Sequence, residues 1–264
     1  MNIIIENHVV PSVFLKREVI VDCYLPINHP SESDTSLLLI NDGQDLPRMN
    51  FAGLLEGLNN SNQISPVFCV AIHCGPDRRS EYGTAHILDY KGRGVLAASY
   101  QRFIFEELLP YIHEIYSIRS FKEKSICGFS LGGLSAIDTA WNHPEEFCKV
   151  GIFSGSLWWR IVSQDDPKFD ENEHRIMHSQ IRSGSHYPWL KFFFETGTMD
   201  ETADRNQNGV IDAIDDTVAL INELVAKGYN PNEDIKYLEL TDGHHDVETW
   251  GRAFPEFLVW GWRH

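Results

Sequence analysis

The chain has no C-x-x-C pair, no run of 18 apolar residues, no internal repeat and no low-complexity linker. Without paired C-x-x-C spacing, zinc ribbons and thioredoxin chemistry are not indicated. Without a long apolar run, no membrane-spanning helix is expected. Basic residues are scarce as well: 22 Lys and Arg stand against 38 Asp and Glu, a formal net charge of −16. Such a field repels phosphate backbones and anionic membrane surfaces, so neither nucleic acid nor membrane is expected as a partner. The first residues, Met1-Asn2-Ile3-Ile4-Ile5-Glu6, carry no basic region ahead of an apolar stretch, so the chain as written does not read as starting with a secretory signal. The five cysteines (Cys23, Cys69, Cys74, Cys127, Cys148) are odd in number, and Cys69 and Cys148 sit among apolar neighbours as buried thiols do. A reducing compartment, and with it a cytoplasmic location, is the expectation.

What is present suits one large globular unit. The 264 residues are 42% hydrophobic and 23% charged, ample for a sizeable core. Strand-like and helix-like segments alternate, which predicts an α/β architecture in a single domain over residues 1–264. Val13 to Leu25 reads as a strand. Leu37 to Ile40 and Val67 to Ile72 are short, wholly apolar strands of the kind that lie in a parallel sheet covered on both faces. A long helix is expected from Val95 to Tyr116 despite Pro110. Further strands are expected at Ser125 to Phe129, Val150 to Phe153, Trp189 to Glu195 and Ile235 to Leu240. Helices are expected at Ser130 to Trp141, from about Ala213 to Lys227, and from about Val247 onward. Residues 160–187 are polar and irregular and read as a cap or lid insertion.

Gly128-Phe129-Ser130-Leu131-Gly132 fits G-x-S-x-G, placed where a strand gives way to a helix. That context is the nucleophile elbow, a strained turn that lifts the serine hydroxyl above the sheet. Ser130 is the candidate nucleophile. The N–H of Leu131, at the helix N-terminus, is a candidate oxyanion donor. The bland alternative is a serine helix cap in a glycine-rich turn.

A serine hydroxyl needs a base, and the base needs a carboxylate to orient it. In this fold the chain order is serine, acid, histidine. The strand ending at Glu195 runs into Thr196-Gly197-Thr198-Met199-Asp200-Glu201, which places Asp200, with Glu201 second, at the active edge of the sheet. The last strand ends in Asp242-Gly243-His244-His245-Asp246, and spacing alone leaves His244 and His245 open as the base.

The chain resembles the esterase family of α/β hydrolases, which includes siderophore, feruloyl and acetyl esterases, S-formylglutathione hydrolases and mycolyltransferases. The resemblance runs from about Val19 to the C-terminus. It rests on Asn41 to Leu46, Arg79 to Tyr82, Tyr100 to Tyr116, Gly128 to Gly133, Ser154 to Trp159 and Gly243 to Trp250. It implies an α/β-hydrolase fold with a mostly parallel sheet between helices. It also implies a serine carboxylic-ester hydrolase working through an acyl-enzyme on a small-molecule ester. Ser130 matches the nucleophile and Asp200 the acid. The Gly243, His245, Trp250 spacing favours His245, and the backbone N–H of Gln44 becomes the second oxyanion donor. Trp158 and Trp159 are candidates to wall the pocket, the alternative being core packing. Arg79 and Tyr82, with Arg78 beside them, are candidates to orient a polar substrate, the alternative being pairing with local acids.

Directly after the acid, residues 204–215 fit an EF-hand loop. Asp204, Asn206 and Asn208 take positions 1, 3 and 5, Gly209 takes 6, Val210 offers its carbonyl at 7, and Asp212 and Asp215 take 9 and 12. Position 12 is Asp rather than Glu, and no helix precedes the loop. No cofactor is expected for catalysis, and a structural calcium is expected here, against the alternative of a helix-capping loop. Two other functions stay open: an acyltransferase on the same scaffold and a catalytically silent binding protein. The oligomeric state is not legible.

Overall fold

The computed structural model describes residues 3–26 and 35–264. Met1 and Asn2 of the N-terminal stretch read above lie outside the described residues. The elements run β1 (Ile3–Ser12), β2 (Arg17–Pro26), β3 (Ser36–Asn41), a 3-10 turn (Gly43–Met49), α1 (Phe51–Asn60), β4 (Val67–Ile72), α2 (Arg78–Glu81) and α3 (Ala97–Arg102). After α3 come a π-helical turn (Phe103–Leu108), α4 (Leu109–Ile115), β5 (Glu123–Phe129), α5 (Leu131–Asn142), β6 (Lys149–Phe153), α6 (Glu171–His174) and α7 (Ile176–Ser183). The chain closes with β7 (Lys191–Met199), α8 (Asp212–Lys227), β8 (Ile235–His244) and α9 (Val247–Trp262).

One eight-stranded sheet has the order β1-β2-β4-β3-β5-β6-β7-β8. The β1/β2 and β2/β4 pairs are antiparallel, and every later pair is parallel. Side chains alternate between faces along a strand, and two cores follow from this. Leu37, Leu39, Val70, Ile72, Ile126, Phe192 and Phe194 pack with α4, α5, α7 and α8. Leu38, Ile40, Cys69, Ala71, Cys127, Phe129 and Phe193 pack with α1 and α9 on the other face. The expected α/β architecture, with its mostly parallel, doubly covered sheet, is what forms.

Three elements differ from the sequence reading. The strand expected over Val13 to Leu25 is the second arm of a hairpin whose turn contains Lys16 at φ 53°. The long helix over Val95 to Tyr116 is broken into α3, the π turn and α4. Pro110 lacks an N–H, and its ring crowds the carbonyl four residues earlier; the widened π turn takes up that mismatch. The last strand runs on through Asp242 and Gly243 to His244. Within residues 160–187, α7 buries Ile176, Met177, His178 and Ile181. Arg175 on its N-terminal side is tied to Asp216 of α8 at 2.8 Å. The five cysteines are all free thiols. No helix among the described residues is long and apolar enough to cross a membrane.

Candidate active site

Ser130 joins β5 to α5 with φ 55° and ψ −119°, a conformation that L residues rarely hold without support. The support is local. The Ser130 N–H bonds Phe153 O at 2.8 Å, and the Ser130 carbonyl takes N–H groups from Gly133, Leu134 and Ser156 at 3.0–3.2 Å. The flanking glycines are steric necessities. A Cβ on Gly132 would lie 2.4 Å from Asp42 Oδ2. The Ser130 hydroxyl faces Ser156 Oγ at 3.4 Å.

The same close approach draws two helix starts together. Leu131 opens α5, and Gln44 is the second residue of the 3-10 turn after Asp42, which is itself left-handed at φ 61°. N–H groups in the first turn have no intrahelical partner, so both helix starts offer donors. Asp42 carries a carboxylate between them, and Arg78 neutralises it: Nε meets Oδ1 and Nη2 meets Oδ2, both at 2.7 Å. Arg78 Nη2 also bonds Phe129 O, the carbonyl just before Ser130, at 3.1 Å. Tyr82 OH accepts the Asp42 N–H at 3.1 Å and is fully buried.

Asp200 and His245 come from the far ends of β7 and β8. Gly197 pairs with Leu240, but Met199 pairs with His244, so β8 bulges by two residues there. Gly197 has no room for a side chain, because a Cβ would lie 2.3 Å from Gly243 O and 2.7 Å from Asp200 Oδ1. Asp200 and His245 line one cleft of about 230 Å³ together with Ser154, Gly155, Trp158, Glu201 and Ala213. His244 sends its backbone N–H to Thr249 Oγ1 at 2.9 Å and, like His245, keeps an exposed edge. His245 packs edge-on to Trp250 with ring centres 5.4 Å apart. Among the described residues no hydrogen bond joins Ser130 Oγ, His245 and Asp200. Such bonds are commonly long or unformed before substrate binds.

The electrostatics of this cleft favour a neutral His245 imidazole. The protein packed around the His245 ring lowers its pKa. The Asp200 carboxylate opposes that shift and Arg78 adds to it, leaving the net shift downward. Burial raises the Asp200 pKa against the opposing pull of Ser154, the Gly197 amide and His245. Both Asp200 oxygens lack a partner in hydrogen-bond geometry. Behind it lies Glu195, 1% exposed. Burial and the neighbouring Asp200 charge push its carboxyl up to about 8.

The structure sorts the expected substrate residues. Trp158 is half-buried and walls both the Asp200–His245 cleft and a second one of about 240 Å³ formed with Tyr90, Arg160, Gln164, Asp165, Glu201, Ala203 and Asp212. The Arg93 guanidinium, held by Asp89 with Nε to Oδ2 at 2.7 Å, stacks 5.0 Å from the Trp158 ring. Trp159 and Tyr82 are corrections to the sequence reading. Both are fully buried, because Trp159 packs against Gly83 and Tyr82 braces Asp42, so neither offers a surface to a ligand. Arg79 is exposed, and its backbone carbonyl receives the Gly94 N–H at 3.0 Å.

The 204–215 loop is closed by hydrogen bonds among its own residues. Asp204 accepts the N–H groups of Asn208 (3.1 Å) and Gly209 (2.9 Å), and Gly209 sits at φ +86°. The Asn206 and Asn208 side-chain amides both donate to Asp215 Oδ2, at 2.7 and 2.9 Å. Asp212 Oδ1 takes the Arg205 N–H at 2.8 Å and faces its guanidinium at 3.2 Å. Among the described residues no three His, Cys, Asp or Glu side chains converge as a metal cluster.

Sequence reasoning passed over Ser154, Ser156 and Glu195. The first two stand in the matched stretch from Ser154 to Trp159, and Glu195 follows three phenylalanines inside β7, where a charge is out of place. That misfit was the available signal.

The fold is a mostly parallel α/β sheet covered by helices on both faces. The family described as "Putative esterase" matches residues 12–260, so the chain belongs to that family. An iron(III) enterobactin esterase of Dickeya dadantii is 24% identical over 173 residues, covering 62% of this chain and 35% of that protein. The enterobactin esterase of Shigella flexneri, solved with enterobactin, superposes with a TM-score of 0.72 at 20% identity over 97% of this chain and 58% of that one. A ferulic acid esterase superposes with a TM-score of 0.70 at 17% identity over 98% and 97% of the two chains. The fold is that of the α/β hydrolases. The chain spans about a third of the curated enterobactin esterase (35%) and somewhat over half of the Shigella enzyme (58%).

Proposed function

We propose that the protein is a serine carboxylic-ester hydrolase acting on a small-molecule ester. The observation that carries the reading is Ser130, held at φ 55° where β5 meets α5, at the sheet edge that also bears Asp200 and His245. In this reading His245 takes the proton of Ser130, and the freed oxygen attacks the ester carbonyl. The N–H groups of Gln44 and Leu131 hold the oxyanion, each worth about 3 kcal/mol in the transition state. The alcohol leaves with the proton from His245, and water then releases the acid from Ser130 by the same steps. Asp200 fixes the imidazole tautomer and stabilises its charged form.

The test is a panel of acyl esters on wild type and Ser130→Ala, alongside fluorophosphonate labelling. Hydrolysis that falls by ~10⁴-fold or more in the variant, with labelling lost and the fold intact, supports the reading. Unlabelled wild type points instead to a silent binding scaffold. Turnover that depends on an added alcohol acceptor points to an acyltransferase.

The reading includes a structural calcium in the 204–215 loop. The Asn206 and Asn208 amides already meet Asp215 at one point, beside the carboxylate of Asp204. Turning the two amide oxygens to that point would give up the bonds they now accept from the Asn208 and Val210 N–H groups, at 3.0 and 2.8 Å, a cost the ion would have to offset. Asp204, Asn206, Asn208, Asp215 and the Val210 carbonyl would then hold the ion, with Asp212 committed to Arg205.

A further inference from the structure

Glu195 sits at the end of the Phe192-Phe193-Phe194 run, in the core of β7. Among the described residues it has no ion-pair partner. Its Oε1 has no hydrogen bond, and Oε2 lies 3.4 Å from the Ser154 hydroxyl, which donates to it when Glu195 is a carboxylate, with the Ser154 amide close by. A carboxylate here would be an unpaired charge with an orphan oxygen, which is strongly unfavourable in a core. A neutral acid needs only one acceptor for its O–H, and Ser154 Oγ is in place to be that acceptor.

Ser154 is fixed from three sides. Its backbone is left-handed at φ 43°, its N–H bonds Glu195 O at 2.8 Å, and its Oγ accepts the Trp250 indole N–H at 2.9 Å. A hydroxyl has one proton and two acceptor sites. With Trp250 and a protonated Glu195 filling the acceptor sites, the Ser154 proton is left for Asp200. Asp200 is the adjacent carboxyl: neither oxygen has a partner in hydrogen-bond geometry, and the groups that pull on it are Ser154, the Gly197 amide and His245.

We propose that Glu195 is a positioning residue that works as a neutral carboxylic acid, turning the Ser154 hydroxyl toward Asp200 so that Asp200 faces His245 as an oriented carboxylate. The proposal rests on the esterase reading of Asp200 and His245. Burial and the Asp200 charge hold Glu195 protonated up to about pH 8. The charged and titratable groups around the pair are Tyr237 on β8, Arg252 on α9, and Asp246 and His245 in the loop between them, with Arg78 acting on His245 from α2. The Tyr237 hydroxyl is committed to Thr196 (2.7 Å) and Glu239 (2.9 Å). When Glu195 ionises, it competes for the Ser154 proton and sets a second negative charge beside Asp200.

The experiment follows kcat/KM against pH for an activated aryl ester in wild type, Glu195→Gln and Glu195→Leu. Difference infrared spectroscopy of the carboxylic acid carbonyl band runs in parallel on wild type and Glu195→Gln. Glutamine donates to Ser154 without ionising. The expected result is near-wild-type kcat at neutral pH in Glu195→Gln, loss of an alkaline ionisation near pH 8 that wild type shows, and an acid band at pH 7 that the variant lacks. Glu195→Leu keeps the volume but not the donor, and its kcat should fall about a hundredfold with KM little changed. Superimposable pH profiles in wild type and Glu195→Gln, or no carboxylic acid band assignable to Glu195 at pH 7, overturn the proposal. Because the infrared titration needs no turnover, it still decides the question if the esterase reading itself fails.

Discussion

Gly128 and Gly132 meet backbone to backbone: a Cβ on Gly128 would lie 2.4 Å from both the carbonyl carbon and the oxygen of Gly132. Gly128→Ala should therefore force β5 away from α5 and cost about 2 kcal/mol or more, read as a lower urea midpoint. Hydrolysis should fall with it, because Ser130 lies between the two glycines. Gly57→Ala is the control. It lies inside α1 with open space where a Cβ would stand, and should gain roughly 0.5–1 kcal/mol.

Asp200→Asn keeps the shape of the side chain and removes its charge. The imidazole loses the group that raises its pKa, so the acidic limb of the pH–rate profile should move to lower pH. With tautomer control also lost, kcat should drop by ~10³- to 10⁴-fold while the melting temperature holds or rises. Glu201→Gln, at an exposed position of the same loop, should change kcat little. The reverse ranking would make Glu201 the acid.

His178 is wholly buried on α7, its Nε2–H bonded to the Asp216 carbonyl at 2.8 Å. Burial, with Arg175 close by, holds its pKa down to about 3, against an ordinary histidine value of 6.5. Between those values the unfolded chain binds a proton that the folded chain refuses. Stability is therefore fully present above pH 6.5 and drains away as pH falls toward 3. Thermal melts from pH 7 to pH 4 should show wild type losing more than His178→Gln, which keeps the donor and cannot charge.

Calcium should raise the melting temperature, and a chelator should lower it, by mass action on the folded state. Asp215→Ala removes the carboxylate on which both asparagine amides converge and should abolish the response. Isothermal calorimetry without calcium binding, and melts indifferent to chelator, would leave the 204–215 loop as a plain helix-capping turn.

Local pattern carried much of the fold. Val67 to Ile72 is a strand in the sequence because it is apolar at every position, and it is β4 at those residues. The serine at the elbow was legible because strand, turn glycines and helix stand next to each other in the chain. What required space rather than sequence was not legible. Nothing in Arg17 to Pro26 says that Ile3–Ser12 will fold back on it, because the first strand carries polar residues among exposed isoleucines. Tyr82 and Trp159 stand beside site residues in the chain but turn into the core. Glu195, Ser154 and Trp250 come together only because the end of β6, the middle of β7 and the first turn of α9 meet at one place.

Trp250 stacks on Phe129, next to the candidate nucleophile, with ring centres 5.1 Å apart; it meets His245 edge-on and holds Ser154 by its indole N–H. Three parts of the site thus share one buried ring. Substitutions at Phe129, Ser154 and His245 reach each other through it, so their effects should be epistatic rather than additive. Divergence within such a lineage would then proceed at the Trp158 wall one residue at a time, while the Trp250 side changes only in concert.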